Sequence, residues 1–107
     1  MKQISTDDFD ERKYDDEETA LVFFHRDGCT VCSSLERYLL DIEDDYTGVA
    51  FYAVSAEDSM ELFERFSLMG VPQTLLFARG ALVQRLSGRK RDDDYEQALG
   101  ALASAGR

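Results

Sequence analysis

Three mainly apolar segments of similar length stand out along the chain. They cover residues 20–25, 49–54 and 71–77, and they are rich in Val, Leu and Phe. Runs of this kind are typical of strands that are buried on both faces of a sheet. Pro72, the single proline, stands at the start of the third run. Because proline cannot donate a ladder hydrogen bond, it marks the first position of that strand.

The segment between the first two runs has a helical pattern. Apolar residues recur there at spacings of three and four, namely Val31, Leu35, Tyr38, Leu39 and Ile42. This stripe predicts a helix from about Cys29, and Cys32 lies beside the stripe, so Cys32 is expected to be more buried than Cys29. A strand, a crossover helix and a second strand form a βαβ unit, which is almost always right-handed with parallel strands.

The other segments carry cap and turn signals. Residues 2–5 predict a short edge strand, followed by a helix that Thr6 or Asp7 caps and that runs to about Tyr14. A capping box at residues 58–61 predicts a helix whose inner face is Met60, Phe63 and Phe66. Arg79-Gly80 predicts a hairpin turn into a strand at residues 81–86. Asp92 or Asp93 is expected to cap a last helix, with Tyr95, Ala98, Leu99 and Leu102 facing inward.

Length and charge narrow the classes of function. A chain of 107 residues fits a single domain, spanning residues 1–107, and its formal charge is −10. That charge argues against nucleic acid and anionic membranes as partners, because both would repel the protein. The N-terminus lacks the apolar core of a signal peptide, so a cytoplasmic location is expected. The acidic run at residues 15–18 is interpreted as a solvated turn, with partner docking as the alternative.

Cys29 and Cys32 are the candidate chemical centre. They follow a predicted strand, a break at Asp27-Gly28 and the start of a predicted helix. A thiol at a helix N-terminus lies near unpaired backbone N–H groups and the positive end of the helix dipole, which favour the thiolate. A Cys-x-x-Cys sequence in this setting indicates a dithiol/disulfide redox centre. A structural zinc site needs about four ligands, and one histidine with two cysteines does not supply them, so no metal is expected within one chain. A cluster or metal that bridges two subunits is the alternative.

The order of elements, together with two motifs, resembles the thioredoxin family. The motifs are Cys29-Thr30-Val31-Cys32 and Gly70-Val71-Pro72-Gln73-Thr74, and the resemblance covers residues 4–102. It implies an α/β fold, a thioredoxin-like three-layer sandwich with a central mixed sheet of four to five strands flanked by helices. It also implies a thiol–disulfide oxidoreductase that reduces protein disulfides.

The resemblance assigns roles to individual residues. Cys29 would attack the substrate disulfide and Cys32 would resolve the mixed disulfide. Pro72 would match the family's cis-proline, and the backbone of Val71 would pair with the substrate chain like an added strand. Gly28, Thr30 and Val31 would complete the substrate-binding surface. No bound cofactor is implied, and electrons would come from a separate reductase similar to thioredoxin reductase or from a glutathione-linked donor. A monomer is expected.

The sequence departs from the family at several positions. The tryptophan before the first cysteine is replaced by Gly28, and no proline stands between the cysteines. The buried carboxylate of the family falls at Phe23, and its accompanying lysine falls near Phe51. These departures bear on the reduction potential and on the rate of the resolving step. They leave open an alternative function, a redox-weak thioredoxin-like binding module that docks partners through the groove beside Val71-Pro72.

Three further features have two interpretations each. His25, four residues before Cys29, is either a proton acceptor or cation that tunes the thiolate, or an imidazole packed at the rim of the site. Asp27 is either a local electrostatic influence or ordinary surface charge. The basic loop at residues 88–91 is either an anion site, for example for the carboxylates of glutathione, or an ordinary charged loop.

Overall fold

The strand that precedes the cysteines is the centre of the sheet. In the computed structural model, which describes residues 1–12 and 18–105, this strand has neighbours on both sides, and its residues are buried as far as His25. The strands are β1 (Lys2–Gln3), β2 (Thr19–His25), β3 (Ala50–Ser55), β4 (Gln73–Ala78) and β5 (Ala81–Ser87). The helices are α1 (Thr6–Arg12), α2 (Thr30–Ile42), α3 (Met60–Arg65) and α4 (Asp92–Ala105).

The five strands form one mixed sheet in the order β1-β3-β2-β4-β5. β3 runs parallel to both β2 and β1, whereas β4 is antiparallel to β2 and β5. The predicted α/β fold with its mixed, helix-flanked sheet is therefore confirmed, including the parallel βαβ unit formed by β2, α2 and β3. Because α2 follows β2 directly, Cys29 lies at the carboxyl end of the most protected strand.

The apolar residues of β2 alternate between two cores. Leu21 and Phe23 pack with residues of α2 and α4, among them Leu35, Tyr95 and Leu99. Ala20, Val22 and Phe24 pack on the opposite face with residues of α1 and α3, among them Phe9 and Phe63. Side chains of successive strand residues point to opposite faces, so a strand covered by helices on both sides must be apolar throughout.

Helix starts differ from the predictions. Ser5, rather than Thr6 or Asp7, caps α1, because its hydroxyl accepts a hydrogen bond from the Asp8 amide at 3.1 Å while the Asp8 carboxylate accepts one from the Ser5 amide at 3.0 Å. Ser59 is the N-cap of α3 and makes no side-chain capping bond, so the capping box predicted there is wrong. α4 begins at Asp92, and the carboxylate that accepts from the preceding Arg91 amide belongs to Asp94.

Two residues assigned to inner faces are exposed. Val31 has 48% of its surface exposed, and Met60 has 54%. The buried residues are Cys32, Leu35 and Leu39 in α2, and Leu62 and Phe63 in α3. The inner face of α3 therefore includes Leu62, which the predicted stripe missed, and this short helix buries only its middle. The inward residues predicted for α4 are all buried, which confirms that face.

The hairpin turn predicted at Arg79-Gly80 is present between β4 and β5. Arg79 and Gly80 both have positive φ, 52° and 80°, as the tight turns that match strand twist require. The N-terminal ammonium of Met1 pairs with the Glu43 carboxylate at 2.6 Å, beyond the end of α2.

Tyr14 and most of the predicted acidic turn, residues 15–17, lie outside the described residues. Within the described ranges, no helix is long and apolar enough to cross a membrane.

Adjacent leucines of α2 allow a matched test of the core. Leu39 is fully buried, whereas Leu40 has 49% of its surface exposed. We expect Leu39→Ala to lower the free energy of unfolding by about 2–5 kcal/mol, since it removes packed methyl groups and leaves a cavity. Leu40→Ala should cost about 0.5 kcal/mol or less. Urea unfolding of the oxidised protein measures both values, and equal losses would contradict the position of α2 on the sheet.

Candidate active site

The two cysteines form a disulfide at the N-terminus of α2. Cys29 has an extended backbone with φ −93° and ψ 103°, and it caps the helix, since its sulfur accepts a hydrogen bond from the Cys32 amide at 3.1 Å. The Cys29 carbonyl accepts from the Ser33 amide at 3.1 Å, which begins the helical ladder. The helix therefore places backbone N–H groups and its positive dipole end at the Cys29 sulfur.

The two sulfurs differ in accessibility. Cys32 is 3% exposed and packs in the same core cluster as Phe23 and Leu35, whereas Cys29 is only partly buried at the edge of that cluster. The predicted difference in burial is thus confirmed. An incoming disulfide can reach Cys29 from solvent, while Cys32 is positioned beneath it.

Gly28 shapes the turn between β2 and α2. Its φ is +74°, a conformation that strains residues with a side chain, and a Cβ at this position would meet no heavy atom within 4 Å. Glycine is therefore favoured by the positive φ at this position, since a side chain would have enough space. The absence of a side chain leaves the surface beside the disulfide open.

His25 is held by contacts from two directions. Its ring stacks on Phe23, with ring centroids 5.3 Å apart and an interplanar angle of 17°. Its Nε2 lies 3.3 Å from Oε1 of Gln3 on β1. His25 is half-buried and lines a cavity that also reaches Cys32. The histidine therefore belongs to the surroundings of the resolving cysteine, a position that its place in the sequence, four residues before Cys29, did not reveal.

Glu57 is a charged neighbour that sequence analysis missed. Its carboxylate accepts a hydrogen bond from the Asp27 backbone amide at 3.2 Å and another from the Ser55 hydroxyl at 3.0 Å. Desolvation raises the pKa of Glu57, but these hydrogen bonds and the nearby charge of His25 outweigh it, and the pKa lies below its ordinary value. An ionised Glu57 thus anchors the loop that leads into Cys29.

Val71 and Pro72 lie between α3 and β4, and the peptide bond joining them is cis. Pro72 is buried, and its carbonyl accepts a hydrogen bond from the Gly88 amide at 2.9 Å. Val71 packs against the core cluster that contains Cys32 and also borders a groove of about 500 Å³. Arg26 lines the same groove, which therefore extends from Val71 to the loop that precedes Cys29.

Thr74, the last residue of the second motif, had no role assigned to it from the sequence. It is fully buried and pairs across the sheet with Phe23, and its hydroxyl has no hydrogen-bond partner among the described residues. Directly opposed residues on neighbouring strands place their side chains on the same face of a sheet. The hydroxyl therefore lies on the face that carries Cys32, where Phe23 supplies no polar partner.

Arg89 of the basic loop, residues 88–91, contacts other side chains of the protein. Arg89 pairs with Asp92 at 2.7 Å, and its guanidinium lies over the rings of Tyr38 and Tyr95, 5.0 and 5.4 Å from their centroids. Burial, followed by the charges of Glu96 and Asp92, raises the pKa of Tyr38 to about 12. These contacts favour the ordinary charged loop over an anion site. Among the described residues, no group of three or more His, Cys, Asp or Glu side chains could hold a metal ion.

Comparisons with known proteins agree with this geometry. The family model described as Thioredoxin matches residues 1–101. The thioredoxin-like protein YdfQ of Bacillus subtilis (strain 168) is 30% identical over 80 residues, which are 75% of this chain and 71% of that protein. The fold is similar to that of a thioredoxin from Plasmodium falciparum, with a TM-score of 0.85 at 22% identity, covering 94% of this chain and 98% of that one. Sequence, relatives and fold thus converge, and the chain belongs to the thioredoxin family, with a Cys-x-x-Cys centre for thiol–disulfide exchange.

Proposed function

We propose that this protein is a protein-disulfide reductase of the cytoplasm, with Cys29 as nucleophile and Cys32 as resolving thiol. The observation that carries the proposal is the unequal exposure of two bonded sulfurs at one helix start. The accessible sulfur is also the one that accepts the Cys32 amide hydrogen bond, an interaction that stabilises negative charge on Cys29 in the reduced protein.

The reaction proceeds in two exchanges. The Cys29 thiolate attacks one sulfur of the substrate disulfide, forming a mixed disulfide and releasing the other substrate sulfur as a thiolate. Cys32, after losing its proton, attacks the Cys29 sulfur, so that the second substrate sulfur leaves and the Cys29–Cys32 disulfide forms. Two electrons pass to the substrate, and the dithiol itself is the redox group, so no bound cofactor takes part. A separate reductase or a glutathione-linked donor returns the electrons.

The groove beside Val71 supports a polypeptide substrate. Its wall includes Met60, Met69, Phe63 and Leu68, and Met69 has 95% of its surface exposed. Exposed apolar surface of this kind marks a site of interaction, and flexible methionine side chains adapt to varied partners. The substrate segment would lie along the Val71 backbone, with Gly28, Thr30 and Val31 on the side of the cysteines. Asp27, anchored by Glu57, would contribute negative charge near the attacking sulfur.

Substitution of each cysteine separates the two steps. We expect Cys32→Ser to accumulate a stable mixed disulfide with a disulfide-containing peptide, because nothing resolves it. Cys29→Ser should form no such adduct at the buried thiol, and both variants should lose turnover. Mass spectrometry without reductant detects the adduct, and dithiothreitol serves as electron donor for turnover.

Turnover retained by Cys29→Ser would contradict the assigned roles. If that variant has no turnover but binds the peptide as tightly as the unsubstituted protein, and the unsubstituted protein itself turns over negligibly, the alternative of a binding module is favoured.

Substitution of Met69 tests whether the groove binds the substrate. We expect Met69→Ser to lower kcat/KM for a peptide disulfide with bulky apolar neighbours by about tenfold, the equivalent of losing about 1.4 kcal/mol of apolar burial. Val83→Ser on β5 is the matched control, since Val83 is also exposed, at 55%, but lies at the sheet edge. Reduction of a small aromatic disulfide should be unchanged in both variants. If the two substitutions lowered kcat/KM for the peptide equally, the groove would not be part of the substrate-binding site.

A further inference from the structure

The resolving step requires a proton to leave an almost buried sulfur. Cys32 is 3% exposed, and Phe23, which packs in the same cluster, is fully buried and offers no proton acceptor. Only the thiolate of Cys32 is an effective nucleophile, so its proton must be transferred before or during the attack on Cys29. A proton acceptor must therefore be within reach of the Cys32 sulfur, either directly or through water.

An open cavity of about 230 Å³ is lined by Cys32 together with several polar residues. Its lining includes Phe23, the His25 ring stacked on it, and the carboxylate residues Asp27 and Glu36. Gly28 forms part of its rim without a side chain to close it. This volume is several times the share of one water molecule, and the polar lining can hydrogen-bond water. Water in this cavity can therefore connect Cys32 with another polar group of the same lining.

The hydrogen bond to Gln3 defines which histidine nitrogen is available. The Oε1 atom of Gln3 is a carbonyl oxygen and can only accept, so Nε2 of His25 donates to it across the 3.3 Å contact. In the neutral ring the lone pair is then on Nδ1. Stacking on Phe23 holds the plane of the ring. Gln3 and Phe23 together fix an imidazole whose free nitrogen is a base.

We propose that His25 accepts the Cys32 proton through this cavity and that Gln3 is the positioning residue that fixes its tautomer. The inference rests on the proposed function. The proton passes from the Cys32 thiol, through water, to Nδ1 of His25. The Cys32 thiolate attacks the Cys29 sulfur, the bond between Cys29 and the substrate breaks, and the substrate sulfur takes the electron pair. The imidazolium then gives its proton to that leaving thiolate or to solvent.

Charged groups surround the histidine from several elements. Asp27 and Arg26 lie on the loop after β2, Glu36 projects from α2, and Glu57 follows β3 and interacts electrostatically with His25. These three carboxylates and one guanidinium thus contribute to the electrostatic potential at the His25 imidazolium. Imidazole gains and loses a proton near neutral pH, the range in which a thiol base is useful.

Stopped-flow mixing of the reduced full-length protein with excess dithiobis(nitrobenzoic acid) separates the steps. The first nitrothiobenzoate released reports the attack by Cys29, and the second reports the attack by Cys32. We expect His25→Ala to slow the second release on the order of 10²-fold at neutral pH, with the first release nearly unchanged. Free imidazole in the buffer should restore the second release, an effect that a merely structural role for His25 would not produce.

Gln3 variants test the tautomer. Gln3→Met removes the acceptor and should slow the second release less than His25→Ala does. Gln3→Glu keeps an acceptor but adds a charge that holds the imidazolium, so the midpoint of the rate-against-pH curve for the second release should move to higher pH. Gln84→Met, at an exposed position of β5, is the matched control and should behave like the unsubstituted protein.

The outcomes distinguish the inference from the function on which it rests. A second release in His25→Ala with unchanged rate and pH dependence would overturn the role of His25, while the proposed function would stand. Slowing that imidazole does not relieve would also overturn it. If the unsubstituted protein shows no second release at all, the two-step exchange itself fails.

Discussion

Burial of β2 on both faces is the constraint on which the rest of the structure depends. The strand is sandwiched between β3 and β4 in the sheet and between helices above and below it, so it ends at a fixed position. Cys29 follows within a short turn, and α2 must begin there to place Leu35 and Leu39 on the sheet. The reactive sulfur thereby acquires its position at a helix start from core packing, and the same packing buries Cys32 one turn later.

Packing also determines what is chemically unusual about the site. Phe23 extends the core to the resolving cysteine, and the Thr74 hydroxyl opposite it has no hydrogen-bond partner within residues 1–12 and 18–105. In the described part of the chain, the polar residues that line the cavity at Cys32 include His25, which is held by Gln3, and Gly28 leaves its rim open. With Phe23 at this position of β2, the proposed proton transfer from Cys32 takes place on the loop side of the disulfide.

The parts predictable from sequence are those that local pattern controls. The buried strands, the hairpin at Arg79-Gly80 and the greater burial of Cys32 follow from periodicity and turn chemistry. Contacts between distant segments had no such signal: nothing in the sequence indicates that Gln3 bonds to His25 or that Glu57 anchors the Asp27 amide. The exposure of Met60 and Val31 was missed because an apolar residue at helical spacing is ordinarily core, whereas here both lie on the surface near the site.

The reduction potential of the Cys29–Cys32 pair tests the central claim most directly. Purified protein is equilibrated with thiol/disulfide buffers of defined potential, and free thiols are then alkylated and counted. The account predicts one reversible two-electron transition closer to about −270 mV, the value of a thioredoxin-type reductant, than to about −120 mV, that of a strong oxidant. A transition near the oxidant value would contradict the reductase function. Two thiols with no reversible transition would contradict disulfide exchange by this protein altogether.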